Sequence, residues 1–186
     1  MTTLPTSDDE QAFGQWWRHY QKRLEQAGES HVEVYVRACA PPPGTHADRT
    51  RFFETLADVT DDVLDSYSLT VLGDEVCVCT DCRRLVEHRQ LLDTVSQLRS
   101  WEDGVLRASG FVEREIDSAV TNECHTVVTP PELAVGAYLN DELAGVFPCR
   151  GDGSRYTPAT FLRALVHGHT EPGDNTDLQL LRSSSG

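Results

Sequence analysis

Apolar residues recur along the chain with two periods, and each predicts a different element. Phe13, Trp16, Trp17, Tyr20 and Leu24 stand at helical spacing. Ser7 followed by Asp8, Asp9 and Glu10 places a cap and negative charge where a helix dipole is positive. This predicts a helix running to about Gln26 and stopping at Gly28. Over residues 31–38 the period becomes two. Val32, Val34 and Val36 share one face and His31, Glu33, Tyr35 and Arg37 the other, which predicts a half-buried strand. Pro41, Pro42, Pro43 and Gly44 break the chain, and a helix over about 47–59 would bury Phe52, Phe53 and Leu56. Residues 66–72 and 75–80 are extended runs around Gly73-Asp74, a hairpin signal. Residues 83 to about 102 read as one helix with Leu85, Leu91, Leu92, Val95, Leu98 and Trp101 on its apolar side. Residues 111–117 alternate again, and 124–128 form another β-rich run closed by Pro130-Pro131. Residues 134–139 and 142–147 flank Asn140-Asp141, a second hairpin. Thr157 and Pro158 open a last helix through Val166. Residues 169–186 are polar, with a serine run, and read as a disordered tail.

The two hairpins carry similar turns, Leu72-Gly73-Asp74-Glu75 and Leu139-Asn140-Asp141-Glu142, each followed by a cysteine and then a helix. The element order predicts an α+β fold. Its antiparallel sheet, or sheets, would be built from two hairpin-containing halves with helices packed on one side. A length of 186 residues suits one domain. The expected division is an amphipathic N-terminal helix over 1–29, a single α+β domain over 30–168 and the tail.

Charge narrows the function. The chain carries 30 acidic and 16 basic residues, a net charge of −14. Phosphate neutralisation needs clustered Lys and Arg, so a purely electrostatic nucleic-acid binder is not expected. No apolar run approaches the roughly 18–20 residues of a membrane helix. The acidic first ten residues do not read as a secretion leader. Lys22 is the only lysine and Ile116 the only isoleucine. Scarce Lys, Ile and Asn suit a GC-rich genome, and excess carboxylate suits a cytosol of molar salt, where screening removes self-repulsion. Together they predict a halophilic archaeal cytosolic protein.

Particular segments agree with that milieu. They are His31-Val-Glu-Val-Tyr-Val-Arg37, the loop 41–44, Phe52-Phe53-Glu54, Phe111-Val-Glu-Arg-Glu115, Ser118, Thr121-Asn-Glu123, Leu133-Ala134 and Leu143-Ala-Gly-Val-Phe-Pro-Cys149. In these the chain resembles a group of small, largely uncharacterised haloarchaeal proteins over about residues 30–166. The resemblance implies lineage and a cytoplasmic location and supplies no site residues. Similar sequences are sometimes labelled helix-turn-helix, although the expected helices are separated by strands and none has a basic face.

The candidate chemistry lies in Cys77-Val-Cys79-Thr-Asp-Cys82. Cys79 and Cys82 have the spacing of half a zinc knuckle, and Cys77 shares a strand face with Cys79. Zinc takes about four such ligands, and His88, a turn into the next helix, is the candidate fourth. Cys124-His125 and Cys39 are remoter candidates. Two other readings stay open. In one, Cys77 and Cys79 are small buried core residues; in the other, Cys79/Cys82 is a redox pair at a helix start. Glu113, Glu115 and Asp117 line one strand face, as an acid–base pair would or as a solvated surface does. His167-Gly-His169 reads as the start of the flexible tail rather than a metal site, and Gly151-Asp-Gly-Ser154 as a turn before the last helix. Gly-x-Ser-x-Gly, His-Glu-x-x-His and Gly-x-Gly-x-x-Gly are absent.

Trp16, Trp17 and Tyr20 make the first helix strongly aromatic. That face either docks on the chain's own sheet or serves as a contact for a protein partner or a second copy. The expected function is that of a non-catalytic haloarchaeal regulatory or accessory protein working through protein or small-ligand contacts. Zinc binding through the cysteine cluster is the first alternative, and DNA-associated transcriptional regulation the second.

Overall fold

The computed structural model describes residues 11–40, 42–118 and 123–168. The expected cap at Ser7 and the expected tail lie outside them. The order is α1 (Gln11–Gln26), β1 (Ser30–Val36), α2 (His46–Asp62), β2 (Ser66–Val71), β3 (Val76–Cys77), α3 (Thr80–Arg84), α4 (Val86–Ser100) and β4 (Arg107–Ala108), then β5 (Val112–Ser118), β6 (Glu123–Thr129), β7 (Leu133–Leu139), β8 (Glu142–Phe147), β9 (Cys149–Gly151), β10 (Ser154–Tyr156) and α5 (Pro158–His167).

Val32, Val34 and Val36 are fully buried, as their alternation predicts. They place β1 inside a four-stranded sheet of order β2-β1-β7-β8. β7 and β8 form the expected hairpin. Asn140 and Asp141 adopt φ of 49° and 65°, the left-handed pair that a two-residue turn between twisted strands requires. Asn140 Oδ1 also accepts the Gly28 and Glu29 backbone N–H groups, tying the turn to the end of α1.

The first expected hairpin does not form. β2 pairs in parallel with β1, with α2 as the crossover, whereas β3 leaves for a second sheet of order β3-β6-β5. Gly73, at φ 89°, redirects the chain between two sheets rather than folding it back on itself. The long helix expected from residue 83 is two helices, because Leu85 is extended (φ −74°, ψ 116°). β4, β9 and β10 form a third, short sheet of order β10-β9-β4.

Two apolar clusters flank the large sheet. On one face, α1, α2 and α5 pack against Val32, Val34, Val36, Val135 and Phe147. On the other, Leu92, Val95 and Leu98 of α4, Val76 of β3 and Val128 of β6 pack against Tyr35, Ala134 and Val146. The fold is thus α+β, with helices on both sides of the large sheet rather than one.

The aromatic helix is spent on the first cluster. Trp16, Trp17 and Tyr20 are 2 %, 2 % and 1 % exposed, so the contact face expected to meet a partner is core instead. The adjacent tryptophans can both be buried because α5 flanks α1. Trp16 packs edge-on to Phe147, and Trp17 edge-on to Phe161. Trp16 Nε1 donates to the Ala144 carbonyl at 3.1 Å. Thr157 caps α5, and its side chain and Thr160 reciprocally bond each other's backbone N–H, a capping box with Pro158 at the first helical position.

Candidate metal centre

β3 brings the cysteines to the site and β6 brings a partner the local sequence does not offer. Cys77 pairs with Val127, and Val78 N–H donates to the Thr126 carbonyl at 2.8 Å. Carried two residues further, that register sets Cys79 opposite His125. The ligand atoms of Cys77, Cys79 and His125 all lie within 4.8 Å of one another. Cys77 Sγ donates to Cys79 Sγ at 3.2 Å. The chain then enters α3 with Cys79 at its N-cap, and the first turn returns Cys82 to both sulfurs.

The charge distribution matches a thiolate cluster. The His125 ring hydrogen-bonds to Cys79 and, with the Cys82 backbone N–H and the Cys77 thiol, holds the Cys79 pKa down at about 6. The neighbouring Cys77 and Cys79 sulfurs, with burial, push Cys82 up to about 12. One thiolate is supported and the next is suppressed, because nothing on the protein side neutralises a second negative charge. A divalent cation does so directly, and coordinating thiols lose their protons outright. Three sulfurs and one imidazole are a recurrent structural zinc set. At Zn–S distances of about 2.3 Å, tetrahedral sulfurs stand about 3.7 Å apart, so the thiol pair need open by only about half an ångström.

Cys77, Cys79, Cys82 and His125 are each half-buried, which separates them from Cys149, the fully buried cysteine of the core. Burial also pushes the Cys149 thiol up to about 12. His88, the expected fourth ligand, is exposed on the first turn of α4 and stands outside the group. His125 takes its place. The usable signal was the Cys124-His125 pair, but only the β3–β6 register selects His125. Cys124 is exposed on the other face of β6 opposite Asp117, and Cys39 is exposed in the loop after β1.

The remaining candidates do not converge. Glu113, Glu115 and Asp117 share a face of β5 and are exposed, with Glu113 paired to Arg99. His167 ends α5, and its companion His169 lies outside the described residues. Gly151–Ser154 is the β9–β10 turn. No helix among the described residues is long and apolar enough to cross a membrane.

Beside the centre, α3, Leu85 and α4 form the one pair of helices joined without an intervening strand among the described residues. The elbow is exposed, with Val86 at 77 %, and carries Arg83, Arg84, His88 and Arg89 into solvent. No curated protein and no solved structure matches the chain. Residues 24–170 do match a family described as a helix-turn-helix domain, an extent that takes in every element from the end of α1 to α5, and the chain belongs to that family.

Proposed function

We propose that this is a non-catalytic zinc-binding regulatory protein in which Cys77, Cys79, Cys82 and His125 hold one structural zinc ion. The observation that carries this reading is the convergence of three thiols and an imidazole from two segments, 77–82 and β6, about 45 residues apart in sequence. Such an ion fastens the β3–α3 turn to β6, and with it the start of α4. All four zinc positions are filled by protein, so the metal is structural rather than catalytic. The test is elemental analysis of full-length protein purified in molar KCl without chelator. About one zinc per chain, lost in Cys79→Ser and His125→Ala, supports the proposal. A metal-free protein whose site thiols all react with a thiol reagent, with or without added zinc, overturns it.

A second reading, DNA-associated regulation, is favoured by the family and by the elbow beside the zinc site. Residues at the start of a recognition helix are the ones that reach base edges. Arg83, Arg84 and Arg89 gather three guanidinium groups on an acidic chain, of which Arg84 is paired to Asp81 at 3.4 Å. On this reading a pool of duplex sequences yields a selectively retained site, and Arg84→Ala with Arg89→Ala abolishes retention. Unchanged retention in that double variant refutes it.

A further inference from the structure

The smallest sheet carries an arrangement that the zinc reading does not use. Arg155 pairs with Arg150 across β10 and β9, and Arg150 pairs with Arg107 across β9 and β4. Directly opposed residues project on the same face, so three guanidinium groups stand in a row across three strands. All three are exposed. None of the three side chains takes part in an ion pair or hydrogen bond among the described residues. Like charges directly opposite one another destabilise a sheet. A chain with 30 carboxylates had ample means of pairing them. Glu102 stands across a β-bridge from Arg107 without an ion pair to it, and the neighbouring Asp103 accepts the Val105 and Leu106 N–H groups at 3.0 and 2.8 Å instead.

The row lines a cleft of about 570 Å³ between the 102–107 loop and the β9–β10 turn. That volume falls within the roughly 300–1,000 Å³ of small-molecule sites. Its floor is close-built: a side chain at Gly151 would place its first carbon 2.5 Å from the Val105 carbonyl oxygen. Glu102 and Asp152 also line the cleft, which leaves it one positive charge in excess on a chain of −14. Guanidinium forks match phosphate oxygens two at a time. The two carboxylates suit hydroxyl or amino donors on the same ligand.

We propose that Arg107, Arg150 and Arg155 form a binding site for a small polyphosphorylated molecule of the nucleoside di- or triphosphate class. Phosphate oxygens bridge the arginine row and relieve its self-repulsion. The site stands on different residues from the zinc centre and does not depend on it.

The test titrates full-length protein with inorganic triphosphate, then with a nucleoside triphosphate, by calorimetry at the lowest KCl concentration at which its circular dichroism still matches that in molar KCl, since salt screens exposed charges. Saturable one-to-one binding is expected. Arg150→Ala should weaken it at least tenfold, Arg150→Lys less, and Arg163→Ala, a charge-matched change on the exposed side of α5, under twofold. Without ligand, Arg150→Ala should keep or raise the melting temperature, because the row is strained by repulsion. Absence of saturable binding at millimolar triphosphate overturns the proposal, as does equal weakening by Arg150→Ala and Arg163→Ala. A short duplex that binds in an Arg150-dependent way while triphosphate does not would assign the row to nucleic-acid backbone phosphate and overturn the small-ligand site.

Discussion

Replacing His125 by alanine separates the centre that the fold assembles from the one the local sequence suggests. The folded chain already holds the Cys77, Cys79 and His125 ligand atoms within 4.8 Å, so binding costs little rearrangement. Zinc at about a thousandfold excess over its dissociation constant stabilises the native state by about 4 kcal/mol. A chain this long gains roughly 2–4 °C in Tm per kcal/mol, so zinc should raise Tm by about 8–16 °C over chelator-treated protein. Loss of a direct ligand should weaken affinity at least as much as loss of an outer-shell partner, where the upper figure is about 100-fold. At the same zinc concentration a 100-fold loss leaves about 1.4 kcal/mol, or about 3–6 °C. His88 is exposed and away from the group, so His88→Ala should change stability by no more than about 0.5 kcal/mol and keep the full zinc-dependent shift. Thermal unfolding with matched zinc and chelator arms reads all three proteins. A full shift in His125→Ala, or its loss in His88→Ala, would refute the reasoning.

Other expectations follow from packing and charge. Gly145→Ala would bring a methyl carbon to 2.6 Å from Trp16 Cζ2, so urea unfolding should show a loss of about 1–3 kcal/mol from overpacking. The Tyr20 hydroxyl is buried without a partner among the described residues, and burial pushes its pKa up. Tyr20→Phe should therefore leave stability unchanged or raise it by up to about 1 kcal/mol, and a loss beyond that in the same assay would reveal an essential bond. In zinc-free protein, Cys79 has a pKa of about 6, whereas Cys82 and Cys149 stand at about 12. Its thiolate forms as pH rises through 6 and makes up about nine-tenths of the group at pH 7. Brief alkylation followed by mass spectrometry should label Cys79 before Cys82 and Cys149. Zinc should protect it, and equal labelling of the three would contradict the assignment.

What the sequence disclosed was what local chemistry decides. The β7–β8 hairpin was legible because Asn140-Asp141 tolerates left-handed backbone. α5 was legible because Thr157-Pro158 is a cap and a first-turn proline in succession. β1 was legible from strict alternation. The failures lie where partners are distant. Gly73-Asp74 has hairpin composition, but β2 finds β1 across α2, and β3 finds β6 about 50 residues later. β2 also reverses the usual alternation. Tyr67, Leu69 and Val71 are exposed, while Ser66 and Ser68 turn to the ring nitrogens of His31, and Thr70 to Glu33. The break between α3 and α4 carries no Gly or Pro, so nothing local announces it.

The candidate site divides along the same line. Cys77, Cys79 and Cys82 were visible because a strand period and a helix turn place three sulfurs together within six residues. The fourth group was not, since choosing His125 over His88 requires the pairing of Cys77 with Val127. That dependence would give a metal bound there its structural meaning. β3 contains only two paired residues and α3 only five. Neither element stabilises itself, because a helix that short is marginal in water and a two-residue ladder supplies few bonds. What holds them is Val76 in the second core cluster on one side and, on the other, the sulfur–imidazole group shared with β6. A zinc ion there ties the weakest stretch of the chain to a strand that is itself paired to β5 over seven residues. The elbow bearing Arg83, Arg84 and Arg89 begins one residue beyond the last sulfur. If zinc is bound as proposed, the same four ligands set its position relative to the sheet, and loss of the metal should loosen the α3–α4 pair before it disturbs the aromatic core around Trp16 and Phe147.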